Sequence, residues 1–365
     1  MSLDVTSLQR FREQSGLTQQ VLGDRIGVTR QTIAAWEKGE RNLSVAQLAR
    51  LAKALGVPLE LLLGAASEPE ATLLFRADDP AVLSPELRDL LSHRAEDYAA
   101  IERLAGEAPI LPESRPISDF DPDLIERASS EARDWLGVDD APLGNVDALL
   151  EAKGLKILLH PLPAGVSGFS AFTEAWGGVI VLNRDHALER QYFTALHELA
   201  HLIFHRREYD GPRPASKRRN DPREQAANHF AAAMLLPREA MLKELRAFKR
   251  GWIPEPVLED MKLKYSVSMR TVLLRASALR LITRQQAGQH IGVLNKRFGR
   301  DNEQPELPLP ERKAQSRLEW LTYRALINDA ITTSRAAEVL ATPLAQVRER
   351  LARYNADPAL EGAPG

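Results

Sequence analysis

The feature that most constrains this chain is the run His197-Glu198-Leu199-Ala200-His201. It lies in a stretch where Tyr192, Phe193, Leu196, Leu199, Ala200 and Ile203 recur at helical spacing, which predicts a helix from Ala187 to about Arg207. Residues four apart share a helix face, so both imidazoles can reach one ion. The 365 residues include no cysteine. Thiolate sites and disulfides are therefore excluded, and any metal must be held by His, Asp or Glu. Glu198 stands between the two histidines, where it can take a proton from a water that the cation acidifies.

A catalytic zinc site uses three protein ligands and keeps one position open. His205 is two turns, about 12 Å, from His197, too far for one ion to bridge along a straight helix. It reads as a histidine behind the site or at the surface. Arg207 occupies the ligand position of the extended pattern that carries a third histidine. The third ligand is then expected to be a carboxylate on a following helix. Glu224 fits, because Glu224, Asn228, Ala231 and Leu235 share one face of a helix expected from Pro222 to Leu236 and stopped by Pro237. Asn228 could orient a ligand from one turn below. His229 points about 140° away from Glu224 and is not counted as a ligand. Tyr192, His160 and His229 are the candidates for stabilising an oxyanion. One Zn2+ per chain is the expected cofactor.

The elements around the motif predict an α+β fold, mostly helical. Helices are expected from Leu124 to Leu136 and from Asn145 to Lys153, and strands at Leu155–His160, Gly168–Phe172 and Gly178–Asn183. The sheet would pack on the His197 helix in the manner of zincins, and a helical bundle would follow. In that bundle Tyr265-Ser-Val-Ser-Met-Arg-Thr-Val-Leu and Ile331-Thr-Thr-Ser-Arg-Ala-Ala-Glu-Val-Leu repeat a turn signature. Arg275, Arg280, Arg284, Lys296, Arg297 and Arg300 give it a basic bias, read as a solvated face.

The N-terminal block has a different organisation. Leu17 to Ile26, a turn at Gly27, and Thr29 to Gly39 read as helix, tight turn, helix. Val21, Ile26, Val28, Ile33 and Trp36 are expected in its core, with Thr18, Thr29 and Ser44 as helix caps. Such a second helix can enter a major groove. Arg30, Gln31 and Ala35 would then meet base edges, with Thr29 and Thr32 in the same first turn, while Gln19, Arg41 and Asn42 would meet phosphates. The net charge of the whole chain is −2, so attraction to DNA must be local. Ser84-Pro85-Glu86 starts a helix over 84–105, whose Leu87, Leu91, Ala95, Tyr98, Ile101 and Leu104 pack on a neighbour or supply a homodimer contact. The segments are accordingly 3–64, a DNA-binding domain; 65–120, a linker with that helix; 121–250, a peptidase core; and 251–365, a helical C-terminal region. Hydrophobic residues at 44% and charged residues at 27% fit a packed core, and no signal core or membrane span is apparent, so a cytoplasmic protein with no membrane contact is expected.

Two resemblances carry further implications. Phe193-Thr-Ala-Leu-His197-Glu-Leu-Ala-His201, with Glu224-x-x-Ala-Asn228-x-Phe230-Ala and Leu235-Leu-Pro237, resembles the ImmA/IrrE family of metallopeptidases over about residues 121–280. That resemblance implies His197, His201 and Glu224 as zinc ligands and Glu198 as catalytic acid/base. It also implies a limited cut in a repressor-type protein, and an edge strand, Val179, Ile180, Val181, Leu182 and Asn183, on which an extended substrate docks. Residues 8–63, with Trp36-Glu37-x-Gly39 and Leu48-x-x-Leu51-Ala-x-x-Leu55-Gly56-Val57, resemble the XRE family of five-helix repressor-like domains, which act as dimers on two-fold DNA sites. Together they imply a DNA-binding regulator that cuts a repressor, a neighbouring gene product or itself in a stress, phage or mobile-element response. The rival expectation is a non-proteolytic, antitoxin-like regulator with a silent zinc site.

Overall fold

The computed structural model describes residues 8–9, 11–12, 17–41, 43–55, 83–107, 111–117, 119–206, 221–248, 252–299, 303–308 and 316–355. The chain divides into two compact units: one draws on residues 1–73, 84–107 and 318–365, the other on 74–83 and 108–317.

The second unit holds the sheet. Asp121 caps helix α5 (Pro122–Leu136) by accepting from the Asp123 and Leu124 amides, and Asn145 caps α6 (Val146–Ala152) through the Ala148 amide. Strands β1 (Lys156–His160), β2 (Gly168–Thr173) and β3 (Gly177–Asn183) follow, in the spatial order β1-β3-β2. β3 runs parallel to β1 and antiparallel to β2. Helices α7 (Leu188–Phe204) and α8 (Pro222–Leu235) bury Leu196, Leu199, Ala200, Ala227, Phe230 and Ala231 in a common core. Gly168 is required where β2 pairs with β3, since a Cβ there would lie 2.6 Å from the Val181 carbonyl oxygen. Helices α9 (Arg238–Leu245), α10 (Glu255–Tyr265), α11 (Met269–Ala278) and α12 (Arg284–Phe298) complete the unit. Arg275, expected on a solvated face, is 1% exposed. It donates to the Leu236 carbonyl and pairs with Glu126, because its position on α11 faces α5 and the end of α8.

The strand expected to offer an edge does not. Val179, Ile180, Val181, Leu182 and Asn183 form the middle strand, bonded on both sides, and every residue of β3 is buried. An unbroken apolar run such as Gly178-Val-Ile-Val-Leu marks a strand covered on both faces rather than an edge.

In the first unit α1 (Gln19–Ile26), α2 (Arg30–Glu37) and α3 (Val45–Leu55) enclose Leu22, Ile33, Trp36, Leu48 and Leu51. Among the described residues of the N-terminal domain, Leu8, Phe11 and Arg12 add to this core; a fifth helix would lie outside them. Val21 is 42% exposed and Leu22 takes the core position expected for it, since the Thr18 cap sets the helix so that Leu22 and Ile26 face inward. Helix α4 (Pro85–Leu104) buries Leu91, Ala95, Tyr98 and Ile101 but leaves Leu104 half exposed. Among the described residues of this unit, α13 (Arg317–Ile327), α14 (Thr333–Val339) and α15 (Leu344–Asn355) come last. No described helix is long and apolar enough to cross a membrane.

Candidate metal centre

Helix α7 places His197 and His201 one turn apart, with ring centroids 4.8 Å from each other. Helix α8 starts at Pro222 behind an Asp221 cap, which fixes Glu224 in its first turn. The packing of α8 on α7 brings Glu224 to the two histidines. His197 Nε2 lies 3.2 Å from Glu224 Oε2, His201 Nε2 lies 3.5 Å from Glu224 Oε1, and the two Nε2 atoms are 3.1 Å apart. These three residues form the metal-competent cluster found among the described residues.

The spacing fits a metal. At zinc–ligand distances of about 2.0–2.1 Å, tetrahedral donors stand roughly 3.3–3.4 Å apart; the two imidazole nitrogens are 3.1 Å apart and each lies 3.2 or 3.5 Å from a different Glu224 oxygen. The donor set is two imidazoles and a carboxylate, which suits a borderline cation. His201 is nearly buried while His197 and Glu224 are partly open, at 16% and 26% of side-chain exposure, so the cluster has one accessible side. Burial alone would raise the Glu224 carboxyl. Hydrogen bonds from His197 and His201, and their charge, outweigh it and hold the group far below the usual carboxylate range.

A second layer orients these groups. Asn228 Oδ1 is 3.1 Å from His197 Nδ1, where it accepts from the ring when Nε2 faces the centre. His205, 2% exposed, sets Nδ1 3.0 Å from His201 Nδ1. It is therefore the histidine behind the site. The Ser170 hydroxyl donates to Glu198 Oε2 from strand β2 and both side chains are buried. Sequence reasoning missed Ser170; the available cue was a hydroxyl in an otherwise apolar strand. His229 donates instead to Glu126, 2.7 Å away, and joins Arg275 there. Tyr192 lies in the core, where burial, with Asp147 adding to it, pushes its phenol up to about 12. His160 ends β1 opposite Asn183. None of these three belongs to the ligand cluster.

In the N-terminal domain Thr29 Oγ1 accepts from the Thr32 amide and begins α2. Arg30 and Gln31 are exposed, Thr32 and Ala35 are partly so, and Arg41 is exposed; Asn42 lies outside the described residues. Gln19 donates to Glu37, which is itself held by buried Arg12 at 2.6 Å. The Gln19 side chain is thus tied into the domain.

Comparison with known proteins places both regions. Residues 150–277 match a peptidase-family model described as an IrrE N-terminal-like domain, and residues 8–62 match a helix-turn-helix family model. Over 51 residues, 14% of this chain and 74% of the relative, the sequence is 49% identical to an uncharacterized HTH-type transcriptional regulator of Methanothermobacter thermautotrophicus.

Proposed function

The chain belongs to the helix-turn-helix family over residues 8–62 and carries an IrrE N-terminal-like peptidase domain over residues 150–277, and on that premise we propose that it is a DNA-binding regulator with zinc endopeptidase activity. The observation that supports this best is the meeting of His197, His201 and Glu224 donors, with Glu198 next to His197 in the chain. A zinc ion bound there supplies a cation that acidifies water and polarises the scissile carbonyl.

The residues divide the remaining work. His197, His201 and Glu224 bind the ion, and Asn228 and His205 hold the two imidazoles in register. Glu198 accepts the proton from the attacking water and returns it to the departing amine. Ser170 keeps that carboxylate aimed, and the buried surroundings of Glu198 and His201 exclude bulk water. On the DNA side the exposed first turn of α2 presents Arg30 and Gln31, side chains whose donors suit guanine and adenine edges. The substrate class is a folded regulatory protein cut once or a few times, such as a repressor or the product of a neighbouring gene.

Host cells expressing wild type or Glu198→Gln, compared for new protein N-termini, test the peptidase reading. A small set of termini present only with wild type is expected. Identical sets, with both proteins metal-loaded, would overturn it. Mobility shift with the DNA upstream of the gene tests the second half, since Arg30→Ala with Gln31→Ala should abolish the specific band.

A further inference from the structure

The turn that joins α1 to α2 occurs again at the far end of the chain. Thr18 caps α1 through the Val21 amide at 3.2 Å, and Thr332 caps α14 through the Arg335 amide at 3.1 Å. At the same distance from its cap each helix closes on a left-handed residue, Gly27 at φ 76° and Ala341 at φ 48°. The next amide reaches back in each case, Val28 to Gly23 at 2.9 Å and Thr342 to Ala337 at 3.0 Å. The core positions correspond without insertion: Leu22 with Ala336 and Ile33 with Val347, all fully buried. The second helices, α2 and α15, begin at corresponding residues, Arg30 and Leu344.

The turn by itself does not make a binding helix. A third copy, at Ser266 with φ 54°, leads into α11, whose Met269, Val272, Leu273, Arg275 and Ala276 are buried in the peptidase core. Helix α15 differs. Ala345, Gln346, Arg348, Glu349, Ala352 and Arg353 are exposed. Its charges are three arginines against one glutamate, and Arg353 offsets that glutamate at 2.6 Å. Arg350 is engaged with Glu319 and Tyr323, so Arg348 is the cation left to the solvent face, in a chain whose net charge is −2.

From this match and this face we propose that residues 317–355 form a second helix-turn-helix and that α15 is a second contact for double-stranded DNA. Arg348 meets a phosphate and Gln346, in the first turn, lies at the base edges. The proposal goes beyond the reading of the N-terminal domain, which assigns DNA to α2 alone.

The full chain is titrated with a fluorescent random-sequence duplex of about 30 base pairs over a range of KCl concentrations. Gln346→Ala with Arg348→Ala is compared with wild type, both alone and with Arg30→Ala and Gln31→Ala. These positions are exposed, so melting temperatures should not move. The affinity should fall roughly tenfold and the salt slope by about 1 in both backgrounds, with Arg348→Lys restoring the slope. Unchanged affinity and slope in both backgrounds would overturn the proposal. So would unchanged DNA binding with altered sedimentation, which would make α15 a self-association face. If the α2 substitutions leave binding intact while those on α15 remove it, non-specific DNA contact belongs to α15, and the mobility shift with upstream DNA alone decides the reading of α2.

Discussion

Glu126 ties the helix that carries Glu224 to the rest of its unit. Its carboxylate on α5 accepts from Arg275 on α11 and from His229 on α8, five residues beyond Glu224. Arg275 is 1% exposed and the Glu126 side chain 17%. Removing one partner of a buried pair leaves the other charge without compensation, which costs about 3–5 kcal/mol, and the residual exposure of Glu126 places it near the lower end. Glu126→Gln should therefore destabilise the unit by about 3 kcal/mol. For a unit of about 200 residues that lowers the melting temperature by roughly 6–12 °C. The carboxyl has its folded-state pKa lowered from 4.5 to about 2: burial would raise it, and Arg275 and His229 more than reverse that. A depressed carboxylate stabilises the fold fully above its unfolded value, and the contribution is lost as pH falls from about 4.5 toward about 2. The assay is calorimetry or circular dichroism at pH 7 and at steps down to about pH 2. Wild type should lose its advantage over Glu126→Gln across that window. The paired change Glu126→Leu with Arg275→Leu should cost less than the two single changes added together. A single variant within about 0.5 kcal/mol of wild type, or strict additivity, would refute the reasoning.

Three further outcomes follow from the site and the turn. Asn228→Ala and His205→Ala should each weaken zinc affinity about 10–100-fold, read by competition with a chelator, because each removes the partner of a ligand's other ring nitrogen. Ser170→Ala should slow peptide cleavage about tenfold with zinc content unchanged, since it removes a hydrogen bond to Glu198 and leaves His197, His201 and Glu224 in place. Gly27→Ala should cost the N-terminal domain about 1 kcal/mol in urea unfolding, as the φ of 76° is strained for alanine while open space surrounds the new Cβ.

Much of this was legible locally. Caps and turns announced themselves at Thr18, Thr29, Ser44 and Ser84 because capping is chemistry between near neighbours. The three strands and the His197 helix followed from periodicity. What sequence concealed depends on partners far along the chain. The middle position of β3 is set by two strands that flank it in space, though its uninterrupted apolar run was a cue. Arg275 looks like any surface arginine until Glu126, far away in sequence, is placed against it. Ser170 meets Glu198 only because β2 crosses α7. Val21 and Leu22 are adjacent apolar residues, and the helix phase alone decides which faces inward.

The most direct test of the central claim is the metal content of the purified chain, by mass spectrometry, for wild type and Glu224→Ala prepared identically and then offered zinc. The account predicts about one zinc per wild-type chain and its loss in the variant, because Glu224 supplies one of three donors. A wild type that binds no zinc even when it is offered, or a variant that holds it as well as wild type, would contradict the account.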